Sequence, residues 1–200
     1  IEACLVGSEM CIRDRSHWFG GDGMVHAFHI NNGKVSYINR WMRTVKWLKE
    51  HEAGEALFPS GMDPTDTDPS VQGLKTDGLA NTSIVSHAGK LFALEEAHAP
   101  FEFDPFTLES IGSHTFDSKL QGPVTAHPKV DPVTGELLFF GYMADGFFSD
   151  TIRYTSVSKD GNISKSELIK APFPSMVHDF FATENYIIIP VFPLTGDFDR

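Results

Sequence analysis

Gln121-Gly-Pro-Val-Thr-Ala-His-Pro-Lys-Val-Asp-Pro132 decides how this chain is read, together with its echo Ser175-Met-Val-His-Asp-Phe-Phe-Ala-Thr183. In each stretch a histidine opens the first strand of a β-hairpin. After His127 come the turn Asp131-Pro-Val-Thr-Gly-Glu136 and the apolar run Leu137-Leu-Phe-Phe-Gly-Tyr142. After His178 come Asp179-Phe-Phe-Ala-Thr183, a turn at Glu184-Asn185 and the run Tyr186-Ile-Ile-Ile-Pro-Val-Phe192. Apolar β-formers on both sides of a Gly/Pro/Asn/Asp turn are the sequence signal of a hairpin. Two histidines in equivalent places of two repeated units predict ligands aimed at a common centre.

Outward from these stretches the hairpin pattern repeats. Met24 to Ile30 and Val35 to Arg40 flank the turn Asn31-Asn-Gly-Lys34, whose residues tolerate the positive φ of tight hairpins. Thr82 to His87 and Leu91 to Glu96 flank Ala88-Gly-Lys90, and strands follow at Phe101–Asp104 and Glu109–Thr115. Thr151 to Ser158 and Asn162 to Ile169 flank Lys159-Asp-Gly161. Between the first two hairpins, good helix formers predict a short helix near residues 44–57, ended by Pro59. Pro59 to Asn81 is a polar loop without periodicity. The turn residues Gly33, Gly89, Gly135 and Asn185 are 56, 46 and 50 positions apart. A period of about 40–50 residues with several strands per unit marks a β-propeller blade, although a large all-β sandwich also fits the spacing.

Composition narrows the function classes. A chain of 200 residues can bury one globular core, and 41% hydrophobic against 22% charged residues is ordinary folded protein. The net charge of -11 disfavours nucleic acid, because neutralising phosphates takes clustered Lys and Arg. Phe supplies 17 residues against 4 Tyr and 3 Trp, enough for a Phe-rich core with a few left for an apolar substrate tunnel.

The segments Thr125–Pro132 and Ser175–Thr183 resemble the first two iron-histidine motifs of the carotenoid cleavage oxygenases. That family includes apocarotenoid and lignostilbene-type dioxygenases. His17-Trp-Phe-Gly-Gly-Asp-Gly-Met-Val-His-Ala27 resembles its near-N-terminal signature, and the likeness runs from His17 to Arg200. The resemblance implies an all-β fold, a seven-bladed β-propeller of which this chain covers several blades. It implies an Fe(2+) dioxygenase that cleaves a carbon–carbon double bond with O2, the substrate being an apolar conjugated carotenoid, apocarotenoid or stilbene-like molecule. Four histidines hold the iron in that family, and His127 and His178 match the first two. Ala93-Leu-Glu-Glu-Ala-His-Ala-Pro-Phe-Glu-Phe-Asp-Pro105 resembles the segment that carries an outer carboxylate behind one metal-binding histidine. Aligned on Pro100 and Asp104-Pro105, that carboxylate is Glu96, expected behind His178 rather than His127. Phe19 matches a wall of the substrate cavity. Glu95 stands where stilbene-cleaving relatives place a lysine for the substrate phenol, which favours an apocarotenoid.

The remaining candidates read as structural. Asp179 adjoins His178, but neighbouring side chains in a strand point to opposite faces, so it is not expected to share a metal. His26 and His29 fall on opposite strand faces for the same reason. His51, His87, His98 and His114 sit in polar or turn-like surroundings and are expected in solvent. Gly20-Gly-Asp-Gly23 lacks the Lys-Ser/Thr of a phosphate loop and reads as a tight turn.

The ends read as foreign or cut. Cys4 to Arg15 looks like a translated sequencing adapter, so residues 1–15 are expected to be non-native and residues 16–200 to form the propeller domain. Both cysteines, Cys4 and Cys11, lie in that stretch, which leaves no disulfide scaffold or thiolate site. The adapter-like stretch does not read as a signal peptide; the protein is expected in the cytoplasm, and an apolar substrate is compatible with peripheral membrane contact in the full-length protein. By resemblance the third and fourth histidines lie beyond Arg200, so the chain alone is expected to be inactive. Two rivals remain: a non-catalytic propeller that binds a ligand or protein, and a propeller hydrolase using another divalent metal through carboxylates.

Overall fold

Asn32 and Gly33 take left-handed backbone angles, φ 49° and 74°, where the chain reverses between β2 (Gly23–Asn31) and β3 (Lys34–Trp41). Two successive positive-φ residues give the turn a twist that matches right-handed strands. The same pair of angles, 48° and 76°, recurs at Ala88 and Gly89 between β4 (Ser83–His87) and β5 (Lys90–Leu94). The computed structural model describes residues 2–7, 19–59 and 67–193. His17 and residues 8–15 of the adapter-like stretch lie outside the described residues.

The chain divides into two compact units. The first comprises Ile1–Ser86, Lys90–Glu95 and Pro100–Ser113. In it, β1 (Glu2–Gly7) pairs antiparallel with β2, from Glu2 opposite Phe28 to Gly7 opposite Gly23, in a sheet ordered β1-β2-β3. A second sheet runs β4-β5-β6-β7, with β6 at Phe101–Phe103 and β7 at Ser110–Ser113. Along β2 the period of two shows in burial: Val25 and Ala27 enter a core with Met42, Ala93, Phe101, Phe103 and Leu108.

Gly23 is required by space rather than by a turn. A Cβ there would lie 1.9 Å from the Ala80 carbonyl oxygen, and the Gly23 amide donates to the Leu79 carbonyl at 2.9 Å. Helix α1 is shorter than the sequence predicts, Val45–Ala53. Thr44 caps its start by accepting from the Trp47 amide, and Gly54 ends it in the left-handed conformation, where a residue without Cβ is favoured. Pro59 therefore plays no part in stopping it. The helix is moored by Lys46, which bonds Glu50 at 2.7 Å and Asp22 at 3.2 Å. Burial pushes the Asp22 carboxyl up, and Lys46 offsets part of that. Among the described residues no helix is long and apolar enough to cross a membrane.

The second unit comprises His87–Gly89, Glu96–Ala99 and His114–Arg200. Its main sheet runs β11-β10-β9-β8, and a smaller one pairs β12 with β13. The strands are β8 (Lys129–Val130), β9 (Leu137–Tyr142), β10 (Thr151–Val157), β11 (Ile163–Lys170), β12 (Phe181–Ala182) and β13 (Ile187–Ile188). Phe140, Ile152, Ala171, Val177 and Phe180 form one of its buried core clusters. Phe140 meets Phe180 edge to face with centroids 5.3 Å apart, a geometry that adds about 0.5–1.5 kcal/mol to burial.

Three expectations change here. The histidines do not open strands: β8 starts two residues after His127 and β12 three after His178. Pro128, with no amide hydrogen, delays the first ladder, and Pro190 cuts the expected Tyr186–Phe192 strand to two residues. His87 is not solvated but buried, and its Nε2–H donates to the Ser158 carbonyl at 2.8 Å. Both four-stranded sheets are antiparallel meanders in chain order, the pattern of a propeller blade.

Candidate metal centre

The segment before His127 lies against β9 because β9 contains a glycine. A Cβ on Gly141 would sit 2.1 Å from the Pro123 carbonyl oxygen, so only glycine admits that backbone. Two residues on, the Thr125 amide donates to the Phe140 carbonyl at 2.7 Å. The His127 amide in turn donates to Thr125 Oγ1 at 3.1 Å. After Pro128 the chain joins β8, with Lys129 opposite Leu138 and Val130 opposite Leu137.

His178 is held by its neighbours' burial. Val177 and Phe180 are each 1% exposed and go into the core, which turns His178 and Asp179 between them outward. This is an irregular segment, so strand alternation does not separate the two side chains. Asp179 accepts from Lys129 Nζ at 2.8 Å and from the Phe180 amide at 2.7 Å. Desolvation pushes its carboxyl up, but the Lys129 and Phe180 hydrogen bonds outweigh it and hold the group below the usual carboxylate range. Asp179 thus faces Lys129.

The rings of His127 and His178 meet. Their Nε2 atoms are 2.9 Å apart, with centroids 4.5 Å apart and planes crossed at 70°. On the far side of the second ring, His178 Nδ1–H donates to Glu96 Oε2 at 2.9 Å. A neutral imidazole that donates from Nδ1 presents a lone pair at Nε2, so Glu96 aims the His178 lone pair at His127. Glu96 lies two residues past the end of β5 and is about three-quarters buried, and among the described residues its other oxygen, Oε1, is buried without a hydrogen-bond partner. Two nitrogens at cis positions around a metal at about 2.0–2.1 Å would be roughly 3 Å apart, so the pair can hold one. Among the described residues no group of three or more His, Cys, Asp and Glu side chains is arranged to hold a metal.

The other candidates, Phe19, Glu95, His26 and His51, belong to the first unit. Phe19 is 74% exposed, and its carbonyl accepts from Asn81 Nδ2. Glu95 is half-buried just past β5. His26 hydrogen-bonds Tyr37 through Nδ1, and His51 stacks on Trp47. Sequence reasoning missed Thr125, Gly141 and the Lys129–Asp179 pair. Lys129 and Asp179 carry a weak signal, since each lies within two positions of a singled-out histidine. Thr125 carries none beyond its place in the first stretch, and Gly141 none beyond its place in the apolar run that follows.

Residues 6–200 match the family model described as retinal pigment epithelial membrane protein, a match that reaches into the adapter-like stretch. Isoeugenol monooxygenase of Pseudomonas nitroreducens is 41% identical over 181 residues, which is 90% of this chain but 38% of that protein. The crystal structure of Pseudomonas brassicacearum lignostilbene dioxygenase superposes with a TM-score of 0.90 at 37% identity, covering 99% of this chain and 42% of that one. A cobalt-substituted Synechocystis ACO superposes at 0.78 and 26% identity, covering 94% of this chain and 42% of that one. The chain spans about two-fifths of the length of these relatives, and the expected partial propeller is the portion of their fold that it matches. With a family match over almost its whole length, the chain belongs to the carotenoid oxygenase family.

Proposed function

We propose that His127 and His178 supply two of the imidazole ligands of a non-haem Fe(II) in a dioxygenase that cleaves a conjugated carbon–carbon double bond with O2. The activity is that of a protein with the full length of the relatives, in which two further imidazoles complete the set. One observation carries the reading: the two Nε2 atoms lie 2.9 Å apart, and Glu96 holds the Nδ1 proton of His178. Imidazole donors suit iron, and such a carboxylate fixes the tautomer of the ring that binds. Bound iron would supply the oxygen chemistry; the chain's part is to orient its donors and shape an apolar space for the substrate. The hydrolase rival needs carboxylate ligands. Glu96 faces the back of the His178 ring and Asp179 faces Lys129, which counts against it.

Similarity favours a phenylpropene or stilbene as the double-bond substrate, through isoeugenol monooxygenase and lignostilbene dioxygenase. Glu95 pulls towards a substrate without a phenolate, because an acid repels one. The deciding experiment incubates the full-length, iron-loaded protein with a 4-hydroxystilbene and an apocarotenal and identifies the aldehydes formed under 18O2. Cleavage of either, with label in the products, supports the reading. No cleavage of any conjugated alkene by protein with full iron occupancy overturns it.

Glu96→Gln is expected to weaken iron binding about 10–100-fold, the usual cost of losing such an outer partner. The amide can still occupy the space but offers His178 a poorer acceptor. Glu95→Gln is expected to leave the metal affinity within about twofold. Metal titration of both variants checks this, and equal losses would mean that the wrong glutamate had been assigned.

A further inference from the structure

We propose that Thr125 is the positioning residue that sets the spacing of the His127–His178 pair, an inference that rests on the metal-centre reading above. A threonine hydroxyl carries one hydrogen to donate and lone pairs to accept. Thr125 spends one on each histidine's backbone. Its Oγ1 accepts from the His127 amide at 3.1 Å and donates to the His178 carbonyl at 3.3 Å. The two histidines are 51 residues apart in sequence, yet a single oxygen atom joins their main chains. Thr125 itself cannot drift, because it is 1% exposed and its amide is bonded to Phe140 of β9 at 2.7 Å.

Lys129 and Asp179 join the same two segments from the solvent side. Their side chains are 35% and 50% exposed, so water and salt screen that pair and it holds the spacing weakly. The Thr125 bridge is shielded, and the donors it sets must meet one metal within tenths of an ångström. Glu96 controls how the His178 ring is turned; Thr125 controls where its backbone stands relative to His127.

The test uses full-length protein, stripped of iron and titrated with Co(II), whose visible bands report donor geometry. Thr125→Val keeps the branched shape and removes the hydroxyl; Thr125→Ser keeps the hydroxyl. The expected result is about a tenfold loss of Co(II) affinity and altered bands in Thr125→Val, both restored in Thr125→Ser. A lower melting temperature in Thr125→Val with wild-type affinity and spectrum would make Thr125 merely structural and overturn the proposal while leaving the metal centre standing. Wild-type protein that binds no Co(II) would overturn both. Should Thr125→Val not fold, Thr125→Ala against Thr125→Ser repeats the comparison with one oxygen as the difference. Failure of Val and Ala alike to fold, with Ser folding, also counts against a positioning role.

Discussion

Replacing His178 by alanine in the full-length protein is expected to lower iron affinity by more than about 100-fold. Loss of an outer partner alone costs about 10–100-fold, and this change removes the donor atom as well. It also removes the partner of Glu96 Oε2, so that among the described residues neither carboxylate oxygen keeps a hydrogen bond. His127→Ala should cost a similar amount of metal but disturb the protein less, because the Glu96–His178 bond survives it. Iron content after purification and Co(II) titration both read this out. Full iron occupancy in either variant would mean that the two Nε2 atoms, close as they are, share a hydrogen bond and never a metal.

Gly141→Ala is expected to destabilise the protein by about 3 kcal/mol, the upper range for forcing an atom into a filled place. The new Cβ would start 2.1 Å from the Pro123 carbonyl oxygen and 2.7 Å from its carbonyl carbon, both backbone atoms that no rotamer change can move. The strain falls on the segment that leads to His127, so metal affinity should fall along with stability. For a protein of about 200 residues that loss lowers the melting temperature by roughly 6–12 °C, and by less in a longer chain. Gly54→Ala is the control: beyond its chain neighbours the new Cβ meets nothing within 4 Å among the described residues, and the left-handed φ of 72° opposes it at about 1–2 kcal/mol. Equal melting points for Gly141→Ala and wild type would show that the Pro123 segment can move away from β9 at little cost.

Much of the fold could be read in advance because its signals are local. Asn31-Asn-Gly-Lys34 and Ala88-Gly-Lys90 can close a tight hairpin through positive φ, and the strands they join need only a few alternating apolar residues. The helix has two local stops in its sequence, and Gly54 acts before Pro59 is reached. Strands near the histidines are shorter than their apolar runs, because such a run shows preference and cannot show which amides find a partner. His87 looked like a solvated turn residue, and only a carbonyl 71 positions away, at Ser158, explains its burial.

By itself the sequence determined the class of strand, the places of the turns and the identities of His127, His178 and Glu96 as candidates, through turn chemistry and motif likeness. Tertiary structure alone decided that these three meet. Residues 51 and 82 positions apart approach through a backbone oxygen lodged over Gly141, a threonine hydroxyl shared between two main chains, and Val177 and Phe180 buried on either side of His178. None of those contacts has a period or a spacing along the chain. They depend on distances between segments that come together only when the core of the second unit closes, and a one-dimensional pattern holds no record of such distances.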